Sequence, residues 1–339
     1  MRLDEGGRLL LEDFISKRAF RCTDRLIDML VFCHRPRNIA EIRIFMKTQL
    51  GLRGAEGEQF LRELIEKDII RPGAKDERAL KAFSMWKGYN WREPFLHNLL
   101  TRDYPFVERG VGYSEMDKET MINYTKKSKM PNAYKEYKGV LKIRLPPCST
   151  ELGMFHEAIE GKLSRKSERM TLTSLSDILF YTFGKVAERQ TLPWGKYILK
   201  TSPSGGARHP TEAYVYASEV SGLKKGIYHY SVKDHALEVL DGVRRETLEA
   251  AIPETTKSDT KAIVFLTSLF ARNMWRYREP RTFRTLFFDA GHVIQTLQLV
   301  TESRGFDVEL RQPFSTQKLE SCLGLDMYAE GAISYAVIK

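Results

Sequence analysis

From residue 151 onward the sequence predicts an α+β fold, with a mostly antiparallel sheet and one long central helix. Strand-like runs of branched and aromatic residues recur at 213–220, 226–230, 262–270, 307–310 and 332–338. Helical periodicity appears at 155–163, 172–183, 284–304 and 315–323. A compact helical unit precedes this domain. The 339 residues allow one large domain and a smaller one, and 42% hydrophobic with 11% aromatic content supplies a core.

Taken in order, residues 7–21 predict one or two short strands. Thr23 or Asp24 then caps a helix with Leu26, Ile27, Leu30 and Val31 on one face, and Pro36 ends it. Asn38 caps a second helix, 39–50, with Ile42, Ile44, Phe45 and Leu50 available for packing. Gly51 and Gly54 break the chain before a third helix, 57–67, which presents Phe60, Leu61, Leu64 and Ile65. Ile69 and Ile70 read as a short strand entering a wing at Arg71, Pro72 and Gly73. Three helices and a β-wing make a winged-helix-like arrangement. Its third helix carries Glu56, Glu58, Glu63 and Glu66, which repel phosphates, so a peptide-binding or structural module is expected and nucleic acid is not.

The predicted domains are thus 1–75 (winged-helix-like), 76–150 (a helical connecting segment) and 151–339 (the α+β domain). In the connecting segment Trp86, Tyr89, Trp91 and Phe95 suggest a packed helix, residues 113–142 a helix with a solvated face, and 139–147 a strand leading into a linker.

The formal net charge of +10 suits an anionic partner or a lysine-rich soluble surface. The charged N-terminus lacks a signal-peptide pattern, and no apolar run reaches membrane-spanning length, so a cytoplasmic protein with no membrane partner is expected. Four scattered cysteines read as reduced thiols, and seven histidines without ligand spacing predict no metal.

Three stretches carry candidate chemistry. Pro203, Ser204, Gly205 and Gly206 form a polar loop whose glycines let backbone approach a flat ligand, running through Arg208 and His209 into Pro210. It reads as a cofactor loop, a phosphate loop or a turn. Arg165, Ser167 and Arg169 read as a phosphate clamp or as a basic helix end. Trp275, Arg276, Tyr277 and Arg278 precede a helix containing Asp289, Gly291, His292 and Gln295. Gly291 leaves room for a close approach or for two helices to cross tightly, and Asp289 and His292, three apart, read as a pair across one turn or His292 as a core histidine.

Together these stretches resemble the nitroreductase-like, FMN-dependent dehydrogenases of ribosomal-peptide maturation known as the SagB type, over residues 155–339. Arg165-Lys166-Ser167-x-Arg169 is similar to the family's Arg-Arg-Ser-x-Arg entry, and Pro203-Ser204-Gly205-Gly206 with Pro210 and Glu212 to its hallmark loop. Asp289-Ala290-Gly291-His292-x-x-Gln295 is similar to its long helix, with Thr296 where asparagine is usual, and Gly324 falls where the family has a glycine before its last strand.

The resemblance implies a homodimer with FMN at the subunit interface. By it, Arg165, Ser167 and Arg169 hold the phosphate and ribityl chain, Pro203 to Gly206 line the ring system, and Gly291 and Gly324 complete the cofactor site. It also implies that the N-terminal unit clamps the leader of a precursor peptide, alongside other peptide-modifying enzymes. Family members that oxidise azolines carry Lys-Tyr where this chain has Arg276-Tyr277. A lysine can serve as a base; an arginine stays protonated. Tyr277 and Arg276 are therefore the catalytic candidates, for hydride transfer between flavin and a modified peptide residue by dehydroamino-acid reduction or Cα–Cβ desaturation. An azoline-to-azole oxidase and a non-catalytic leader-binding scaffold are the alternatives.

Overall fold

The computed structural model describes residues 2–3, 9–13, 18–33, 37–70, 77–102, 112–149, 169–191, 195–240, 245–256 and 259–339. The chain divides into two compact units, residues 1–105 and 106–339. The expected connecting segment 76–150 is split between them: residues 77–102 fold with the first unit and 112–149 with the second.

In the first unit β1 (Arg2–Leu3), β2 (Leu9–Asp13) and β3 (Arg18–Arg21) form an antiparallel sheet in that order. Five helices follow: α1 (Asp24–Phe32), α2 (Ile39–Thr48), α3 (Gly54–Glu66), α4 (Glu77–Gly88) and α5 (Arg92–Thr101). The sequence signals for the first two helix starts operate as read. Thr23 Oγ1 accepts the Leu26 N–H at 3.3 Å. Asn38 and Glu41 form a reciprocal capping box with both bonds at 2.9 Å. Leu26, Met29, Ile42, Met46, Leu61 and Leu64 form the core of this unit.

Three of the expected packing residues, Val31, Ile44 and Ile65, are exposed instead. Each lies beside the buried stripe of its helix rather than on it. The strand expected at Ile69 and Ile70 is a bend: both N–H groups donate to the Leu64 carbonyl, at 2.8 and 3.1 Å, closing the end of α3. Arg71, Pro72 and Gly73 lie outside the described residues.

The second unit begins with α6 (Tyr113–Lys127), β4 (Lys142–Arg144) and α7 (Leu172–Phe183). The strands β5 (Lys185–Thr191), β6 (Gly195–Lys200), β7 (Thr211–Ala217), β8 (Gly226–Ser231) and β9 (Ala236–Val239) follow, then α8 (Arg245–Glu249) and β10 (Ala262–Leu269). The chain ends with α9 (Phe270–Arg276), α10 (Phe283–Ser303), β11 (Val308–Arg311), α11 (Thr316–Leu323) and β12 (Glu330–Ile338). Seven strands make one sheet in the order β11-β12-β10-β7-β8-β9-β4. Every pairing in it is antiparallel, and β5 and β6 pair separately as a hairpin.

The sheet is covered on both faces, which explains its nearly continuous apolar strands. On β10, Val264 and Leu266 pack with Leu175, Leu179, Val293 and Leu297 of α7 and α10. The alternate residues Ile263 and Phe265 pack with Leu248, Leu319 and Leu323 of α8 and α11. The period-2 alternation of a strand puts neighbours on opposite faces. The helix expected at 155–163 lies outside the described residues. The hairpin β5–β6 and the strand β9 were not anticipated.

Candidate functional site

The site is built around the loop between β6 and β7. Ser202 anchors its start, donating from Oγ to the Thr182 carbonyl of α7 at 2.6 Å. The chain then makes one 3-10 turn over Gly205–Ala207. Gly206 has φ of 62°, and Ala207 and His209 share the left-handed region at 53° and 46° although both carry a Cβ. Such a backbone costs ~1–3 kcal/mol per non-glycine residue, so the surrounding contacts must enforce it.

Asp289 of α10 supplies that enforcement. Its Oδ2 accepts from Ser204 Oγ at 2.6 Å, and its Oδ1 accepts the Gly205 N–H at 2.9 Å. Ser204 Oγ in turn accepts the His209 N–H at 2.8 Å, which closes the loop on itself. Burial raises the Asp289 pKa, against the lowering effect of these two bonds and of His292. The expected Asp289–His292 pairing thus gives way to loop binding: the carboxylate is committed to Ser204 and Gly205, and His292 is exposed.

Both glycines are used for close approach by the chain itself. A Cβ on Gly205 would lie 2.7 Å from Thr285 Cγ2, and one on Gly206 would lie 1.9 Å from Tyr277 Oη. Tyr277 therefore sits hydroxyl-first against the turn. Arg208 Nε donates to the Gly206 carbonyl at 2.8 Å. Arg276, the last residue of α9, donates to Asp117 of α6 at 2.7 Å, with its guanidinium 5.2 Å from the Tyr277 ring centre. Burial lowers the Arg208 pKa, Tyr277 opposing and Arg276 adding to the effect. This neighbourhood suits bound anions and places the phenolic proton of Tyr277 beside the turn. Tyr277 also lines an open groove of about 640 Å³ with Lys129, Met274, Trp275 and Arg278.

A buried chain of charged groups supports the far end of the loop. Arg272 of α9 donates to the His209 carbonyl at 2.7 Å and also binds Glu212. Glu212 meets His229 Nε2 at 3.1 Å, and His229 Nδ1 meets Glu238 at 2.8 Å. Lys142 of β4 closes the chain on Glu238 at 2.9 Å. Burial alone would lower the His229 pKa, but its two carboxylate partners raise it overall. Burial likewise opposes ionisation of Glu212, yet Arg272 and His229 hold its pKa well below the usual carboxylate range. Each of these charges is paired, as burial requires. The sequence reading placed Glu212 in a motif without a role and passed over Arg272, His229 and Glu238. The one available signal was the run of polar residues alternating within apolar strands.

The remaining predicted residues are spread more widely. Arg169 is exposed just before α7, and Pro203 is exposed in the loop. Arg165 and Ser167 lie outside the described residues. Gly291 is on an exposed side of α10, where an added Cβ would meet nothing within 4 Å. Gly324 ends α11 at φ 65°, the left-handed stop that glycine provides. Among the described residues no group of three or more His, Cys, Asp or Glu is arranged to hold a metal. No described helix is long and apolar enough to cross a membrane.

Comparison with known proteins agrees with this geometry. The trifolitoxin-processing protein TfxB of Rhizobium leguminosarum bv. trifolii is 33% identical over 175 residues, which cover 50% of this chain and 47% of that protein. The trifolitoxin-processing protein TfxF of the same organism is 32% identical over 126 residues, covering 37% of this chain and 41% of that one. This chain thus spans less than half the length of either relative. A crystal structure from Anabaena variabilis, assigned as a nitroreductase, superposes with a TM-score of 0.51 at 24% identity, over 64% of this chain and 45% of that chain, and shows the shared fold. Residues 168–338, half of the chain, match the nitroreductase family. With the seven-stranded antiparallel sheet, the long helix α10 and the glycine loop clamped between them, the chain belongs to the nitroreductase family.

Proposed function

We propose that the chain is an FMN-dependent oxidoreductase acting on a modified residue of a ribosomally made precursor peptide. The observation that carries this reading is the placement of Tyr277 Oη against Gly206, with Arg276 and Arg208 alongside. The names of the relatives, as trifolitoxin-processing proteins, support a role in processing a product made by the cell.

The described residues fit a flavin. The Gly205–Gly206 turn carries no side chain of its own and has the Tyr277 hydroxyl against it, and two guanidinium groups nearby favour an anionic ligand. The enclosed space beneath the loop is about 10 Å³, room for one water. A flavin would therefore lie outside that space, where a second subunit of the proposed homodimer would cover it. Phe287 and Phe288 of α10, 52% and 63% exposed, offer an apolar face for such a homodimer.

Bound flavin would supply hydride acceptance and donation. The protein's own residues would do the rest. Asp289 would hold the loop rigid, and the Arg276 guanidinium, steadied by Asp117, would stabilise negative charge. Tyr277 Oη would donate or accept the proton that accompanies hydride movement. Arg276 cannot act as the base, because a guanidinium group is not deprotonated in proteins. This favours dehydroamino-acid reduction or Cα–Cβ desaturation over azoline oxidation. The N-terminal unit would clamp the leader, and the setting would be cytoplasmic.

The test is direct. The purified chain should be yellow and release FMN on heating. A co-expressed precursor should gain two hydrogens on reduction or lose two on desaturation. Loss of two hydrogens from an azoline-bearing precursor would identify the azole-forming oxidase. A colourless protein that binds leader and leaves the precursor unchanged would identify a scaffold and sink the enzymatic reading.

A further inference from the structure

Beneath the glycine loop lies a small cavity of about 10 Å³, bounded by α7, the end of β6, the start of β7 and α10. Seven polar residues line it: Ser202, Ser204 and Asp289, whose hydrogen bonds are described above, and Lys200, His209, Thr182 and Thr211. Thr182, His209 and Thr211 are at least nine-tenths buried, at 0%, 7% and 4% exposure. Their Thr182 Oγ1, His209 Nε2 and Thr211 Oγ1 atoms have no hydrogen-bond partner among the described residues. Three orphaned polar atoms around one cavity are costly if nothing satisfies them.

The chemistry of the lining selects the occupant. The His209 ring hydrogen-bonds the Ile198 backbone, so with Nε2 unpartnered the ring proton sits on Nδ1 and Nε2 presents a lone pair. Burial, reinforced by Lys200, Arg272 and Arg208, lowers the His209 pKa to about 3 and keeps the ring neutral. The site then combines one ammonium donor, one imidazole acceptor and two hydroxyls that serve as either. An anion would meet the imidazole lone pair, and a cation would meet Lys200. A water molecule matches every group, and the volume is that of one water.

We propose that this cavity is a binding site for a single structural water that ties both ends of the 203–210 loop to α7 and β7. Accepting from Lys200 and donating to His209 Nε2 and one threonine, the water bridges the loop's exit to β6, β7 and the helix behind it. Asp289, which lines the same cavity, holds the loop through Ser204 and Gly205, so the water and the carboxylate secure it at different points. The proposal does not depend on the loop's cofactor.

A high-resolution crystal structure tests it. One solvent molecule is expected within about 3.2 Å of at least three of the four named atoms. A dry cavity, or an anion there, overturns the proposal. An independent reading comes from nitrogen NMR of His209, where Nε2 should appear unprotonated at neutral pH; a protonated Nε2 overturns the water assignment. The double variant Thr182→Val, Thr211→Val should lower the hydrogen-exchange protection of the His209 amide by about tenfold, while β10 amides stay protected. Equal protection in both proteins would show that no bridging water supports the loop. If the water is found and the protein binds no FMN, the cofactor reading fails alone.

Discussion

Tyr277 meets the glycine turn with its hydroxyl and lines the open groove, so it touches both halves of the site. Tyr277→Phe keeps the ring and removes the proton. Turnover of the precursor should fall by about 10²-fold or more, with flavin content unchanged. Full turnover would remove Tyr277 from the mechanism. Asp289 acts at one remove, as a positioning residue. Each Asp289 oxygen faces one donor, and Asp289→Asn replaces one of the two with an NH2 group that opposes its donor. A loss of about 1–3 kcal/mol in urea denaturation is expected, and an unchanged midpoint would show the clamp is dispensable. Lys200 gives a pH signature. Burial lowers its pKa to about 8 from the ordinary 10.5, with Glu212 opposing and Arg272 assisting. Between those values the unfolded chain binds more protons, so stability rises with pH across the window, and below about 8 the full penalty applies. Lys200→Met should remove that slope and raise stability at pH 7, which thermal melts across pH would reveal.

At the scale of elements, the two candidate-site glycines of α10 and α11 behave differently. Gly324 terminates α11, whereas Gly291 sits inside α10 with open space at its Cβ position. In a lone subunit Gly291→Ala should therefore stabilise α10 by about 0.5–1 kcal/mol, the helix-propensity difference. If α10 is covered by a second subunit, the same change should weaken association instead. Comparing melting temperature with dimer dissociation separates these cases, and no effect on either would leave Gly291 without a role. Elements with strong periodic signals were legible in sequence. The helix at 172–183 and the strand starting at Ala262 fall where the pattern placed them. The hairpin β5–β6 escaped because its residues Lys185, Glu188, Arg189 and Lys196 carry no apolar alternation, its pairing being set by backbone bonds across a two-stranded ribbon. Ile69 and Ile70 misled for the opposite reason: two branched residues look like a strand, yet they cap a helix end.

At the scale of the whole molecule, the exposed Phe287 and Phe288 of α10 are the face on which the proposed homodimer would rest. Replacing both with serine should shift a dimer to monomer in sedimentation and reduce bound flavin together. A wild-type chain that sediments as a monomer at micromolar concentration while retaining FMN would contradict the interface-bound cofactor. The candidate site itself was only partly readable. The loop Pro203 to Gly206 and the helix with Asp289 stood out as motifs because glycine and proline punctuate sequence strongly. Their joining through Ser204, and the line Arg272–Glu212–His229–Glu238–Lys142, did not. These residues come from α9, β7, β8, β9 and β4, and no local spacing links them.

The amino-acid order alone fixed the helix caps, the alternation that buries both faces of the sheet, and the glycine turn, because these depend on neighbours a few positions apart. Only the folded chain decided that Asp289 grips the turn, that Tyr277 fills the room beside Gly206, and that Lys200 ends in a polar cavity. Those outcomes join residues tens of positions apart, and their energies come from burial and pairing, which exist only once sheet and helices have packed.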